Sequence, residues 1–271
     1  MESLQLIESW PVQNAAAAVV RGDGTLAGTY GPVERQFRLA SVTKPLAAYA
    51  VLVGYEEGVF ELDDPAGPAG STVRHLLAHA SGLAFDEHKV VAAPGNRRIY
   101  SNAGFEVLGE TLTKAAGMPF AEYLRQAVLE PLGMTGTSLP GSPAADGVST
   151  AADLARFATE LQAPQLLHPS TVATATSVAY PGLKGVLPGY GHQNPNDWGL
   201  GFELRDSKSP HWTGALSSPA TFGHFGQSGT FLWVDPAAAA ALVVLTDRDF
   251  GEWALPQWPR LTDAVLTELR G

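Results

Sequence analysis

The sequence predicts an α+β fold, in which both ends of the chain build one antiparallel β-sheet flanked by helices and the middle forms a mainly helical insert. Two strand-like runs, 14–21 and 25–30, lie near the start. Three more, 198–204, 229–236 and 240–247, lie near the end. Apolar residues between them recur at helical spacing, so we expect the strands from the two ends to meet in a single sheet.

The early elements follow from turn and stop signals. The Asp-Gly pair in "GDG", residues 22–24, predicts a tight hairpin between the first two strands. "QFRL", residues 36–39, predicts a third short strand that leads into a helix. That helix starts near Ser41 and runs to about Glu57, where Gly58 is a stop signal.

The middle and the end of the chain are predicted to contain five more helices. The first, "TVRHLLAHASG", begins at Thr72 and is ended by Gly82. The other four are "NAGFEVLGETLTKAAG", "PFAEYLRQAVLEPLG", "STAADLARFATEL" and the closing "LPQWPRLTDAVLTELRG". We expect residues 1–57 and 190–271 to form the sheet part, residues 58–189 to form the helical insert, and the active site to lie at their interface.

Composition argues against several classes of function. A net charge of −10 over 271 residues argues against a nucleic-acid partner, which needs clustered Lys and Arg. The absence of cysteine excludes disulfides, thiolate metal ligands and cysteine nucleophiles. The start is acidic, and the longest late apolar run, "PAAAAALVVL", is too short to span a bilayer. We therefore expect a cytoplasmic protein with no signal peptide in this chain and no membrane partner.

The first motif with chemical meaning is "SVTK", which places Ser41 and Lys44 three residues apart at a predicted helix start. Taken alone, the pair is equally well explained as a capping serine and a solvated lysine. The functional alternative is a nucleophile and its base, because residues three apart on a helix share a face. A helix start also offers backbone N–H groups to a developing oxyanion.

Two further motifs carry the same ambiguity. "YSN" supplies Tyr100 and Asn102, either as a packed ring and a helix cap or as a proton relay and an amide that donates to a substrate carbonyl. "HFG" supplies His224 and Gly226 at the edge of a predicted strand, where a glycine lets a ligand approach the backbone.

The three motifs together, "SVTK", "YSN" and "HFG" in this order, resemble those of the serine β-lactamase and penicillin-binding-protein superfamily. The resemblance is to its class C-like branch, with family VIII-type esterases, D-amino-acid peptidases and related amidases. It covers nearly the whole chain, including "ELDDPAGPAGSTVRHLLAHASGL" and "FGHFGQSGTFLWVDP". It implies two-step acyl transfer through a covalent acyl-enzyme, without any cofactor.

The resemblance also implies a role for each motif residue. Ser41 matches the nucleophile, Lys44 the base beside it and Tyr100 the second general acid/base. The residues expected to bind substrate or its oxyanion are Asn102, His224, Gly226 and, through their backbone N–H groups, Ser41 and Gln227.

Departures from the family pattern bear on the substrate. Many β-lactamases carry a lysine where this chain has His224, and a mostly neutral imidazole does not replace that fixed cation. The distance in sequence from Ser41 to Tyr100 is short for a class C enzyme, which indicates a trimmed insert and a more open cleft. Both departures favour a small ester or amide as substrate.

Three alternatives stay open at this point. One is a β-lactamase or D,D-peptidase, and another is a catalytically silent module that binds acyl ligands. The third is a metal site, since "HLLAH" places His75 and His79 four residues apart. Because Leu76 replaces the glutamate that a zinc-protease helix requires, we expect no metal there.

Overall fold

A six-stranded antiparallel sheet lies at the centre of the computed structural model, which describes all residues 1–271. The ten strands of the chain are β1 (Ala15–Arg21), β2 (Leu26–Tyr30), β3 (Phe37–Arg38), β4 (Val148–Ser149), β5 (Gly185–Leu187), β6 (Gly191–Gln193), β7 (Glu203–Leu204), β8 (Phe222–Gly226), β9 (Thr230–Asp235) and β10 (Ala240–Thr246). The central sheet has the order β2-β1-β10-β9-β8-β7. Both ends of the chain therefore build one sheet, and the predicted α+β fold is confirmed.

Seven α-helices accompany the strands. They are α1 (Thr43–Glu56), α2 (Val73–Leu77), α3 (Asn102–Ala116), α4 (Phe120–Leu124), α5 (Ala151–Gln162), α6 (Pro169–Ala175) and α7 (Ala254–Arg270). A π-helical turn, Arg125–Leu129, continues α4, and two 3-10 helices span Glu2–Ser9 and Ala40–Val42. No helix is both long and apolar enough to cross a membrane.

Strand β1 shows why the sheet is buried on both faces. Its side chains alternate between two apolar clusters: Ala16 and Ala18 pack into one, and Ala17 and Val19 into the other. The first cluster includes side chains of α1 and α5, and the second includes side chains of α7. A strand covered on both faces is apolar throughout, which explains its continuous "AAAAVV" run.

Three local predictions were wrong or incomplete, and several short elements were missed. The helix predicted from Thr72 to Gly82 ends at Leu77, because the chain turns away through His79 with a φ of 53°. The strand at 36–39 shrinks to β3 and pairs with β4 outside the central sheet. Of the run 198–204 only β7 is a strand. The 3-10 helix at the start, β4, α6, the hairpin β5–β6 and β8, which holds His224 and Gly226, were not predicted.

The two-part division of the chain stays a proposal, which the topology supports. Residues 58–189 contribute no strand to the central sheet. Helix α5 lies within that segment, yet it packs against β1 and β10. We therefore propose the same sheet part and helical insert, with α5 assigned to the sheet part.

Candidate active site

Ser41 lies in a short 3-10 helix that leads directly into α1 and is held against strand β8. The residue before it, Ala40, has a φ of 46°, a left-handed conformation that is uncommon for a residue with a side chain. A Cβ added to Gly226 would lie 2.3 Å from the carbonyl oxygen of Leu39 and 3.2 Å from the nitrogen of Ser41. The space that Gly226 leaves is therefore filled by the Ser41 loop, so this glycine sets the approach of β8 to the serine.

Four of the predicted site residues meet around the hydroxyl of Ser41. The Tyr100 hydroxyl donates a hydrogen bond of 2.6 Å to Ser41 Oγ. Lys44 Nζ lies 3.5 Å from the same oxygen. Lys44 Nζ also donates to Asn102 Oδ1 at 2.6 Å and to the carbonyl oxygen of Ala144 at 2.9 Å. The first two motifs therefore converge, although Ser41 and Tyr100 lie 59 residues apart.

Lys44 is placed to act as a base. Its side chain is fully buried, and this burial lowers the pKa of Lys44 to about 7, while the charges of Asp86 and Glu106 act in the opposite direction. A neutral amine has two N–H donors and one lone pair. Because Asn102 and a backbone carbonyl accept the two N–H groups, the lone pair of neutral Lys44 points toward Ser41. The alternative of a solvated lysine is wrong.

Tyr100 is placed as a proton donor. Burial raises the pKa of Tyr100, so its phenol stays protonated at neutral pH and donates to Ser41. The ring packs against His79, with 4.7 Å between the ring centroids, and His79 Nδ1 accepts a hydrogen bond of 3.1 Å from the backbone N–H of Ser101. His79 therefore holds both the tyrosine ring and the backbone beside it.

Asn102 is not a helix cap, although that alternative was open. Ser101 caps α3 by accepting a hydrogen bond from the N–H of Gly104. The amide of Asn102 instead joins two charged residues: its oxygen accepts from Lys44, and its nitrogen donates to Asp86 Oδ1 at 2.7 Å. The amide orientation is thus fixed by its partners on both sides.

The two backbone N–H groups expected to bind an oxyanion belong to Ser41 and Gln227. Neither N–H donates a hydrogen bond to another group of the protein. Gln227 directly follows β8, and its carbonyl oxygen is fixed by the N–H of Phe250 at 2.7 Å. Two free donors, one after the end of a fixed strand and one at Ser41 itself, are the arrangement that a developing oxyanion requires.

His224 carries no positive charge in this site. Its Nδ1 lies 2.7 Å from the carbonyl oxygen of Phe225. Because a carbonyl oxygen can only accept a hydrogen bond, Nδ1 carries the proton. Burial, with a smaller contribution from the charge of Lys44, lowers the pKa of His224 to about 3. The ring is therefore neutral, and its buried Nε2 is an acceptor without a partner in the protein.

Two connected spaces lie beside Ser41. The inner cavity, of about 100 Å³, is lined by Ser41, Phe85, Tyr100, Leu187, Pro188, Trp198, Glu203, His224, Phe225 and Gln227. The outer groove, of about 520 Å³, is lined by Phe85, Arg97, Arg98, Ile99, Tyr100, Lys184, Gly185, Val186, Pro188 and His192. The two spaces share Phe85, Tyr100 and Pro188, so they form one continuous cleft.

Several of these lining residues were missed by sequence reasoning. Phe85 lies in an irregular loop, and Leu187 and Pro188 belong to the hairpin β5–β6, which has no clear periodic signal. Trp198 also lines the inner cavity. The local sequence of a loop does not predict which residues its side chains will contact.

His75 and His79 do not act together. His75 lies 2.9 Å from the hydroxyl of Thr72 and stacks on Tyr180, whereas His79 packs behind Tyr100. Because α2 ends at Leu77, the two imidazoles do not share a helix face as their spacing had indicated.

The chain is similar to known proteins both in fold and in sequence. A model of the Beta-lactamase family matches residues 8–267. The chain belongs to the Beta-lactamase family. The resemblance drawn from the three motifs is thereby confirmed.

Within and around the family, individual proteins differ in how closely they match. The crystal structure of a β-lactamase from Mycobacterium bovis is similar with a TM-score of 0.97 and 57% sequence identity, covering 98% of this chain and 99% of that one. EstCE1, described as a hydrolase with promiscuous acyltransferase activity, shares the fold with a TM-score of 0.78 and 21% identity, covering 97% and 96%. A penicillin-binding protein of Bacillus subtilis (strain 168) is 30% identical over 134 residues, which are 37% of this chain and 30% of that protein. The chain thus matches about a third of the length of its first curated relatives.

Proposed function

We propose that this protein is a serine hydrolase of the Beta-lactamase family that forms a covalent acyl-enzyme with small esters or amides. The contacts of Ser41 carry the proposal: its Oγ lies 2.6 Å from the Tyr100 hydroxyl and 3.5 Å from Lys44 Nζ. A serine hydroxyl is a weak nucleophile until a neighbouring base removes its proton. With a pKa of about 7, Lys44 is partly neutral at the pH of the cell and meets that need.

The first step is attack by Ser41. Lys44 takes the hydroxyl proton, and Ser41 Oγ forms a bond to the carbonyl carbon of the substrate. The carbonyl oxygen becomes negative and accepts hydrogen bonds from the backbone N–H groups of Ser41 and Gln227. Preorganised donors of this kind contribute several kcal/mol, about 3 for a single donor, to the stability of the transition state.

The second step is departure of the leaving group. Tyr100 gives its proton to the leaving alcohol or amine as the bond to the carbonyl carbon breaks, and it regains a proton from Lys44. Water then attacks the acyl-enzyme and releases the acid together with free Ser41. No cofactor takes part in either step.

The preference for esters and amides rests on His224. A β-lactam carries a carboxylate next to its scissile bond, and that carboxylate is best held by a fixed cation. Because His224 is neutral and Lys44 is occupied by Asn102 and Ala144, the inner cavity offers no such cation. A small neutral ester or amide fits this cavity better.

A second candidate function is hydrolysis of β-lactams or of D-alanyl peptides. It is favoured by the 57% identity to a protein described as a β-lactamase and by the match to a penicillin-binding protein. The chemistry at Ser41 would be the same, and only the substrate would differ.

The experiment compares the wild-type protein with Ser41→Ala on a short-chain p-nitrophenyl ester and a chromogenic cephalosporin. Release of the chromophore and the intact mass are followed together. Ser228→Ala is the matched control, because Ser228 lies near the site but its hydroxyl donates to the carbonyl oxygen of Arg38. We expect ester turnover and a transient acyl mass in the wild type and in Ser228→Ala, and neither in Ser41→Ala.

Other outcomes assign the protein elsewhere. Faster turnover of the cephalosporin than of the ester favours the second candidate. A third outcome is that the protein binds either compound, yet neither that compound nor a serine-reactive phosphonate adds mass to it. This outcome means a silent acyl-binding module and refutes the hydrolase.

A further inference from the structure

The outer groove is a built part of the molecule rather than a gap between side chains. Its wall is the hairpin β5–β6, which is tied to the segment that carries Tyr100. The backbone N–H of Arg98 donates to the carbonyl oxygen of Lys184 at 3.0 Å, and Arg98 pairs with Gly185 as neighbouring strands do. A Cβ at Gly185 would lie 2.3 Å from the carbonyl oxygen of Arg98, so only glycine allows this close approach.

The buried guanidinium of Arg98 fixes the floor of the groove. It donates to the carbonyl oxygens of Ala78 at 2.5 Å, Ala179 at 2.7 Å and Asn196 at 3.0 Å. These contacts join the loop before β5, the loop after β6 and the end of α2. The groove therefore keeps its shape without a ligand.

Part of the groove surface is apolar and exposed to water. Val186 is 56% exposed and Phe85 is 51% exposed, which places them among the few large apolar residues that the protein leaves open to water. Ile99 and Pro188 lie in the same wall. Contiguous exposed apolar residues beside a reactive centre are typical of a surface that a ligand covers.

The charged residues of the groove are all basic. Arg97 and Lys184 are exposed, neither side chain is paired with a carboxylate, and no Asp or Glu lines the groove. His192 lies directly across from Val186 in the hairpin register. In a protein with a net charge of −10, two unpaired cations in one groove form a local exception.

The inner cavity offers no free cation. His224 is neutral, and the carboxylate of Glu203 in the cavity wall is paired with Lys208. An anionic group is therefore better placed in the outer groove than beside Ser41. The apolar residues between the two places are suited to an aliphatic or aromatic arm.

We propose that the outer groove binds a distal anionic group of the substrate, carried on an apolar arm that leads away from the scissile ester or amide. This proposal rests on the hydrolase function proposed above and names the class of substrate: esters or amides of amphiphilic compounds with an acidic end. Lys184 and Arg97 hold the anion, and Val186, Ile99 and Phe85 cover the arm.

The test uses two pairs of substrates that differ only in a terminal carboxylate. The first pair is p-nitrophenyl hexanoate and the p-nitrophenyl monoester of adipic acid, which places the anion on the acyl side. The second pair is phenyl hexanoate and para-carboxyphenyl hexanoate, which places it on the leaving group. The measured quantity is the ratio of kcat/KM for the anionic substrate to kcat/KM for the neutral one.

Three variants are compared with the wild type. Lys184→Glu and Arg97→Glu reverse a charge in the groove, and Lys114→Glu reverses the charge of an exposed lysine of α3 that does not line it. We expect the ratio in at least one pair to fall by up to about fivefold with each groove variant, since an exposed ion pair contributes up to about 1 kcal/mol. The ratio should be unchanged in Lys114→Glu. Because each ratio is taken within one variant, any effect of that variant on kcat/KM for the neutral ester cancels.

The proposal is overturned if Lys184→Glu and Arg97→Glu leave the ratio unchanged in both substrate pairs while the neutral esters are still turned over through Ser41. In that case the hydrolase function stands and the anion site fails. If no ester is turned over, the Ser41→Ala protein is titrated with the anilide of adipic acid and with hexananilide, using tryptophan fluorescence. Tighter binding of the adipic acid derivative that is lost in Lys184→Glu keeps the anion site, and equal binding of the two anilides refutes it.

Discussion

Two regions of the molecule each bury a lysine, and the lysines differ in their partners. Lys44, beside Ser41, donates to the amide oxygen of Asn102 and to a backbone carbonyl, both of which are uncharged. Lys208, behind the wall of the inner cavity, forms a buried ion pair with Glu203 and donates to two backbone carbonyls. Both side chains are almost completely withdrawn from water.

The partner decides what a buried lysine can do. Burial lowers the pKa of both lysines, but only Lys208 has a carboxylate in contact that opposes the effect. Burial alone would raise the pKa of Glu203, the partner of Lys208. The charges of His211 and Lys208 outweigh burial and lower the pKa of Glu203 to about 2. Glu203 and Lys208 therefore remain a fixed ion pair. Lys44, with neutral partners only, is free to exchange a proton near pH 7.

The largest effect is expected when Lys44 is replaced by methionine, which keeps the length and loses the base. A positioned general base contributes about 10²- to 10⁴-fold to the rate, so kcat/KM for a p-nitrophenyl ester should fall by that factor. Thermal unfolding should show a protein at least as stable as the wild type at neutral pH, because a costly buried amine is removed. Full activity of Lys44→Met would mean that another group is the base.

The matched change in the other region is Glu203→Gln, which keeps the shape and removes the charge that Lys208 needs. Breaking a buried pair costs about 3–5 kcal/mol, so the free energy of unfolding in urea should drop by about that amount. The loss should shrink as pH falls from 4.5 toward 2, because Glu203 is then protonated in the unfolded chain and finally also in the folded protein.

The control for this change removes both charges. The double variant Glu203→Gln with Lys208→Met should recover part of the lost stability, since no buried charge is left unpaired. If the double variant loses as much free energy of unfolding as the two single variants together, the ion pair does not contribute to stability.

The pH dependence of stability gives an independent test of the low pKa of Lys44. Between about pH 7 and pH 10.5 the unfolded chain still holds the proton of Lys44, whereas the folded protein has released it. The unfolded state thus binds more protons, and stability rises with pH in this window by up to about 1.4 kcal/mol per pH unit from this group. The wild type should gain stability over Lys44→Met across the window, and parallel curves would contradict the low pKa.

The smallest effect concerns the acidic limb of the activity profile. We expect kcat/KM to rise with pH through a pKa of about 7, as Lys44 becomes neutral. The charge of Asp86 raises the pKa of Lys44, so Asp86→Asn should move this limb to lower pH by less than about one unit. Glu87→Gln, at the next position in the same exposed loop, is the control and should leave the limb in place.

Much of the fold could be predicted because long elements carry their own periodicity. The continuous apolar run of β1, the apolar spacing of α3 and the Asp-Gly turn before β2 are local signals, and the structure agrees with each of them. The early end of α2 and the hairpin β5–β6 carry no such signal. The first depends on the left-handed backbone of His79, and the second on the contact of Gly185 with Arg98.

The family, the α+β class and the identity of the residues around Ser41 follow from the sequence alone, since the chemistry requires those residue types in fixed motifs. The protonation states of these residues depend on the tertiary structure. The low pKa of Lys44 comes from burial beside Asn102, and the neutral form of His224 comes from burial and a hydrogen bond to the backbone. A local sequence pattern does not show how deeply a residue is buried, nor which partners the loops bring to it from distant parts of the chain. Both are properties of the packed molecule.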